Sequence, residues 1–318
     1  MSIEELELLA KVASKYYVEE KTQNEIAQEM GLSRVKIYRL LKEAKNKNVV
    51  VININWPIKE SQNLERQFEE IFKLKKAFII QSRQSIEMPV KTMMGRIVAK
   101  YLETILVDGM TMAICMGSST YEVIQAINPT FRVKVRVAQA VGSLPFKTTE
   151  KDSSELARVL SEKLGGEVIY LSSPMIANSP ESAQILKNQV VIQNTLDAAR
   201  NADVVLSGIG KLDAVNSTLV RNQILTVEEV EELIANDAVG DILGQIIKSN
   251  GEKMECEYND RVIGITHEEI KKIPISIALA NGPEKAAAIL GALRSGATNV
   301  LCTDEITAMA VLELNKEH

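Results

Sequence analysis

Among its 318 residues the chain holds two histidines, three cysteines and one tryptophan, and aromatic residues make up only 4% of it. The histidines are His267 and His318. With so few, neither a His-ligated metal site nor Ser–His or Cys–His nucleophilic catalysis is expected. Cys115, Cys256 and Cys302 are scattered with no C-x-x-C spacing, and two of them stand in the apolar stretches CMG and LCT. They read as buried, reduced thiols. No apolar run is long enough to span a membrane. The acidic, amphipathic N-terminus is unlike a signal peptide. The expected location is the cytoplasm, with no metal, cofactor or membrane partner. An excess of positive charge is missing too, since the net charge is -5, so any contact with nucleic acid must rest on a local basic cluster. No repeat or low-complexity tract is visible. A chain that is 46% hydrophobic and 25% charged has ample core for a globular protein, and its length favours two domains.

The local basic cluster is present. The stretch Thr22 to Lys47, TQNEIAQEMGLSRVKIYRLLKEAKNK, reads as a helix-turn-helix. Thr22 and Glu25 form a T-x-x-E capping box that starts a helix, with Ile26, Ala27 and Met30 on its apolar face. Gly31 supplies a turn with positive φ. Ser33 caps a second helix, Arg34 to about Asn46. Val35, Ile37, Tyr38, Leu40, Leu41 and Ala44 are expected on its inner face. Arg34, Lys36, Arg39, Lys42, Lys45 and Lys47 oppose a single acid, Glu43. Basic helices are common, and a helical hairpin with a solvated face would share that charge. The joint arrival of capping box, small Ala27, Gly turn, Ser cap and basic second helix favours DNA. The candidate contacts are Thr22, Gln23, Ser33, Arg34, Lys36, Arg39 and Lys42. The preceding helix, Ile3 to about Glu19, offers Leu6, Leu9, Ala10, Ala13, Tyr16 and Tyr17 as a third wall. Val49, Val51, Ile52 and Ile54 read as a strand, either the wing of a winged helix or a connection.

Trp56-Pro57 ends this unit, because Pro stops a strand. The boundary is placed there, giving domains 1–57 and 58–318. A helix is expected from Ser61 to about Lys73. Beyond it, apolar runs at Ala77–Ile80, Met110–Met116, Val133–Ala140, Val168–Leu171, Val204–Ile209, Val262–Ile265, Ile275–Ala280 and Val300–Cys302 are largely separated by helical periods. Strands buried on both faces and joined through helices imply a mostly parallel sheet in a Rossmann-like α/β domain.

Ligands in such sheets bind beyond the carboxyl ends of the strands, which singles out four junctions. At Met116-Gly117-Ser118-Ser119-Thr120 a strand runs into Gly and three hydroxyls at a helix start; this suits a phosphate, and would equally suit a plain Ser/Thr cap. At Val141-Gly142-Ser143-Leu144-Pro145 the Gly lets backbone approach a ligand, or simply forms a loop. In Ala238-Val239-Gly240-Asp241-Ile242, Asp241 accepts sugar hydroxyls or caps a helix. In Asn281-Gly282-Pro283-Glu284-Lys285, Lys285 falls in a first helical turn, where a cation opposes the helix dipole unless an anion is bound; a solvent-pointing Lys is the alternative. Gly208-Ile209-Gly210 lacks the last glycine of G-x-G-x-x-G, so no dinucleotide site is read there.

Taken together, YYVEEKTQNEIAQEMGLSRVKIYRLLKEA, ADVVLSGIG, AVGDILG, NDRVIGI, GPEKAAAI and VLCTDEITA resemble the SorC family of sugar-responsive bacterial transcriptional regulators. They occur in family order from about Ala10 to Leu312. The resemblance implies a helix-turn-helix head plus a domain similar to the sugar-phosphate isomerase and CoA-transferase fold, with no catalytic residue. It places an effector phosphate at Gly117, Ser118 and Ser119 with Gly142 nearby, and sugar contacts at Asp241 and Lys285. Gly142-Ser143 departs from the family's paired glycines, and the added Ser143 side chain would alter the pocket. The implied partners are double-stranded operator DNA, a phosphorylated sugar or polyol, and further copies of the chain in a homodimer or homotetramer. The expected role is a repressor of a carbohydrate operon. The branch that senses phosphorylated autoinducer-2 also resembles this chain, through Tyr16-Tyr17 and GPEKA. A sugar-phosphate isomerase with a DNA-binding head is a further reading, but no paired acid and base can be assembled for it.

Overall fold

A computed structural model describes residues 2–47, 49–50, 52, 57–81, 88–144, 151–215 and 217–316. The chain forms two compact units, Met1–Pro57 and Ile58–His318.

The first unit is three helices, α1 (Ile3–Tyr17), α2 (Gln23–Met30) and α3 (Arg34–Asn46). Both hydrogen bonds of the Thr22/Glu25 capping box are made, Thr22 N–H to Glu25 Oε2 at 2.8 Å and Glu25 N–H to Thr22 Oγ1 at 3.3 Å. Gly31 ends α2 at φ 64°, and Ser33 Oγ accepts from Lys36 N–H at 3.2 Å to open α3. Leu9, Val12, Ala13, Ile26, Ala27, Ile37, Leu40, Leu41 and Ala44 make the core. Four side chains expected there lie elsewhere. Val35 and Tyr38 are 60% and 55% exposed, and Leu6 and Ala10 of α1 are also exposed. The stripe on α3 is therefore narrow, residues 37, 40, 41 and 44, because α1 and α2 together cover only one side of it. The expected strand falls partly on Val51 and Ile54, which lie outside the described residues, as does Trp56; Val49 and Val50 form a bend packed on the helical core.

The second unit is a sheet between two helical layers. Its strands are β1 (Lys76–Ile80), β2 (Thr111–Ile114), β3 (Arg136–Gln139), β4 (Glu167–Ile169), β5 (Val204–Lys211), β6 (Ala238–Ile242), β7 (Gln245–Lys248), β8 (Ile275–Leu279) and β9 (Val300–Asp304). The order β1-β9-β8-β5-β2-β3-β4 is parallel throughout. The helices are α4 (Gln62–Phe72), α5 (Val90–Ile105), α6 (Ser118–Ala126), α7 (Ser153–Leu164), α8 (Pro180–Lys187), α9 (Val190–Arg200), α10 (Thr218–Arg221), α11 (Val227–Ala235), α12 (Glu257–Arg261), α13 (His267–Ile270), α14 (Ala286–Arg294) and α15 (Glu305–Lys316). Alternation along the strands serves both layers. Met112, Ile114, Val204 and Leu206 pack with Met94, Val98, Val123 and Leu160 of α5, α6 and α7. Ala113, Cys115, Val205 and Ile209 pack with Phe68, Leu196, Leu290 and Val311 of α4, α9, α14 and α15.

The chain winds outward from β2 through β3 to β4, then returns to the other side of β2 with β5, β8 and β9. The strand order thus reverses between β2 and β5, and a crevice opens there at their carboxyl ends.

Two expectations change. Ala238–Ile242 is not a strand leading into a helix but one arm of an antiparallel hairpin, β6–β7, which pairs with the far end of β5. Leu243 and Gly244 turn it with φ of 50° and 75°, positive at both central positions as a tight hairpin requires. Asp241 therefore lies within a strand and caps no helix. Val262–Ile265 is not a strand either. It makes isolated bridges, Val262 to Ile176 and Gly264 to Val141, because its neighbours on both sides are loops.

His267 is buried, and among the described residues neither ring nitrogen is hydrogen-bonded, while the Glu268 carboxylate stands 3.9 Å from Nδ1. Burial, reinforced by Lys271 and opposed by Glu268, holds its pKa below the ordinary 6.5. The folded state thus resists protonation that the unfolded chain accepts, so this group's contribution is full above pH 6.5 and is lost as pH falls through the folded value. Thermal unfolding followed from pH 8 to pH 5 should show an acid-side decline that is shallower in His267→Leu; an identical decline in both would remove His267 as its cause.

Candidate functional site

A cavity of about 170 Å³ opens at the β2/β5 crevice. Of the seven effector residues expected from sequence, it brings together Gly117, Ser118, Ser119, Asp241 and Lys285. Gly117 precedes α6 at φ 133°, where no side chain caps the helix. The helix begins at Ser118, so Ser118 and Ser119 occupy its first turn. Their backbone N–H groups and hydroxyls stand at the positive end of the helix dipole, an arrangement chemically suited to an anion.

Gly142 and Ser143 do not line this cavity. A side chain on Gly142 would come within 2.3 Å of the Pro174 carbonyl oxygen, so this glycine serves close packing of two loops. Ser143 Oγ accepts from Gln139 Nε2 at 3.3 Å. The next residue, Leu144, does reach the wall, while Pro145 is outside the described residues.

The hairpin brings Asp241 opposite Gly210 of β5. A Cβ at position 210 would meet Asp241 Oδ1 at 1.9 Å. Gly208-Ile209-Gly210 lines the cavity, and its second glycine makes room for a carboxylate. Burial pushes the Asp241 pKa up, with Lys285 pulling it back and a hydrogen bond from Gly244 N–H at 3.2 Å helping. Lys285 donates to the Ile209 carbonyl oxygen at 2.9 Å. Its pKa is lowered by burial, with Asp241 opposing and Lys91 adding to the shift. A half-buried acid and a half-buried base face one cavity, which suits hydroxyls that both donate and accept. Gly210→Ala should keep a near-normal melting temperature, since the short Asp241 side chain can rotate away. Affinity for the effector should fall about tenfold, the order of a lost charge-assisted hydrogen bond; calorimetric titration checks both halves.

Sequence reasoning missed several contributors. Thr218, Leu219 and Ile224 around α10, together with Met175, close the cavity; short apolar runs like these carry no signal. Asp304 and Thr307 support the Lys285 loop: Gly282 N–H donates to Thr307 Oγ1 at 2.8 Å, and Thr307 Oγ1 donates to Asp304 Oδ2 at 2.6 Å. Their motif, TDEIT, was visible, but not its target. Cys115 lines the cavity with its pKa pushed up to about 12 by burial, which leaves it an unreactive thiol.

In the first unit, Thr22, Gln23 and Arg34 line one shallow groove with Tyr16 and Asn24. Of the six basic residues, Lys47 pairs with Glu43 at 2.5 Å and Lys45 stands 5.7 Å from the Tyr17 ring centroid. Arg34, Lys36, Arg39 and Lys42 are exposed, and among the described residues none makes a close ion pair, Lys36 acting on Glu43 only at longer range. Ser33 spends its oxygen on the helix cap.

Residues 56–313 match the family model described as "Putative sugar-binding domain". The transcriptional regulator LsrR of Enterobacter sp. (strain 638) is 31% identical over 318 residues, covering 99% of this chain and 95% of that one. The chain belongs to the SorC family of sugar-binding transcriptional regulators. The full-length sorbitol operon regulator SorC from Klebsiella pneumoniae is similar along 97% of the regulator and 99% of its own chain, at 25% identity and a TM-score of 0.72. The sugar-binding domain of a transcriptional repressor from Vibrio fischeri covers 80% of the regulator and 100% of its own chain, at 32% identity and a TM-score of 0.72. The regulator is thereby a sugar-responsive transcriptional regulator. Among its described residues no helix is long and apolar enough to cross a membrane, and no cluster of three His, Cys, Asp or Glu side chains stands ready for a metal.

Proposed function

We propose that this regulator binds operator DNA through α3 and that a phosphorylated sugar or polyol at the β2/β5 crevice sets that affinity. The observation that carries the reading is the convergence of Gly117, Ser118 and Ser119 with Asp241 and Lys285 on one cavity: an anion cradle beside an acid–base pair fits a molecule that is phosphate at one end and polyol at the other. Arg34, Lys36 and Arg39 contact base edges or their flanking phosphates, and Thr22, Gln23, Ser33 and Lys42 contact phosphates. One such helix reads few base pairs, so a homodimer or homotetramer would present heads to half-sites about 34 Å apart or multiples of that. Repression of a carbohydrate operon in the cytoplasm is the role we assign. The site works by binding without turnover: its acid and base serve to recognise hydroxyls.

Similarity to an LsrR protein keeps phosphorylated autoinducer-2 as a second effector candidate. A thermal-shift panel of pentose, hexose and polyol phosphates, phosphorylated autoinducer-2 and the free sugars tests the reading. The correct effector at a hundred times its Kd should stabilise the protein by about 2.7 kcal/mol, with no product formed. Stabilisation by none of the phosphorylated compounds would defeat the proposal, and catalytic consumption of one would restore the isomerase reading.

A further inference from the structure

Lys91, in the first turn of α5, is half-buried and its ammonium donates to Ser118 Oγ at 3.0 Å. An ammonium has no acceptor, so Ser118 is the acceptor in this bond and its one hydroxyl hydrogen is left for another partner. Ser118 stands in the wall of the cavity, where that hydrogen can be given to a ligand. Lys91 itself does not line the wall. Among the described residues it has no carboxylate partner, and the first turn of α5 contains no acid. A cation at this end of a helix opposes the dipole.

Its position is nonetheless pinned. Helices α5 and α6 pack so closely that a side chain on Gly95 would come within 2.6 Å of the Glu122 carbonyl. Thr92 Oγ1 also donates to Glu122 Oε2 at 3.0 Å. These contacts hold the start of α5 against the start of α6, and so hold Lys91 to Ser118. The charge of Lys91 is also felt at Lys285, whose pKa it helps to lower. Two lysines thus raise the positive potential of one cavity whose wall, among the described residues, holds one carboxylate, Asp241.

We propose that Lys91 and Ser118 act as one unit that recognises the dianionic phosphomonoester, the ammonium polarising the serine hydroxyl toward a phosphate oxygen, so that this pair selects phosphorylated over free sugars. The inference rests on the phosphorylated-sugar reading of the cavity. Lys91 is a positioning residue, acting through Ser118.

The test uses the full chain with ribose 5-phosphate, fructose 6-phosphate and inorganic phosphate, each against the matching free sugar where there is one, titrated by calorimetry. Lys91→Met and Ser118→Ala should each weaken the best-binding phosphate by about tenfold, and the double variant should be no weaker than either, since coupled groups are not additive. Lys91→Arg should retain binding within about threefold of wild type, because it keeps the charge and a donor. Wild-type affinity should rise as pH passes the second phosphate pKa of about 6, and this rise should be smaller in Lys91→Met. Wild-type affinity in Lys91→Met, an unchanged pH profile, or additive losses in the double variant would overturn the inference while leaving the phosphorylated-sugar reading intact. Equal wild-type affinity for phosphates and free sugars would overturn both.

Discussion

Lys285→Met should abolish the response to effector while leaving DNA binding in its absence unchanged. Lys285 is half-buried, donates to the Ile209 carbonyl and faces Asp241 across the cavity lining. Methionine keeps the length and removes the charge. Lost hydrogen bonds from a charged group are worth up to about 3 kcal/mol, roughly a hundredfold in affinity. The loss has a second source. Lys285 is what pulls the Asp241 pKa down against burial; without it that pKa rises further, and the carboxylate is protonated at higher pH than in wild type. Calorimetric titration of the variant with the best-binding sugar phosphate measures the effect, and the DNA-binding isotherm without effector serves as the control. A variant that still binds the sugar phosphate within about twofold of wild type would contradict the role assigned to Lys285, since even one neutral hydrogen bond is worth more.

Arg39→Ala should weaken binding to the correct DNA and flatten sequence preference at one position. Arg39 is exposed on α3 and, unlike Lys45 and Lys47, makes no ion pair or ring contact among the described residues. A bidentate Arg–guanine contact contributes about 1–3 kcal/mol of discrimination. Lys42→Ala should behave differently, lowering specific and non-specific binding alike and reducing the salt slope by about one. Fluorescence anisotropy with DNA from upstream of this gene, at several salt concentrations, separates the two. Equal losses on specific and random DNA for Arg39→Ala would reassign it to the phosphate backbone. Tyr38 and Val35, also exposed on α3, are expected to add apolar contact surface to the same face.

Much of this was legible in the residues. Capping box, Gly31 and Ser33 set the head locally, since each acts on its own hydrogen bonds within a few residues. The parallel sheet was legible because its strands bury both faces and read as continuous apolar runs. What escaped depends on non-local pairing. The β6–β7 hairpin turns at Leu243-Gly244, and a leucine at positive φ gives no warning. Lining up Asp241 with Gly210 needs the register of two strands about thirty residues apart. At Gly142 the residues leave ligand approach and a plain loop equally open, because a glycine that approaches backbone and one that approaches phosphate look alike in sequence; the Pro174 carbonyl against it decides for packing. Lys91 carries no signal in sequence; its meaning comes from the contact of α5 with α6. Val35 and Tyr38 show the reverse error, since apolar character alone placed them inside when the partner helices cover less of α3 than its composition suggests.

The central claim is that occupancy of the β2/β5 cavity changes the affinity of the head for DNA. Its leverage equals the difference in effector affinity between the DNA-competent and incompetent arrangements. The most direct measurement is the Kd of the full-length protein for DNA from upstream of its own gene, by anisotropy, with and without a saturating sugar phosphate drawn from the stabilising set. We predict a shift of at least about fivefold, the lower range of allosteric coupling, present in wild type and absent in Lys285→Met. An unchanged Kd in wild type, with the sugar phosphate demonstrably bound, would contradict the account.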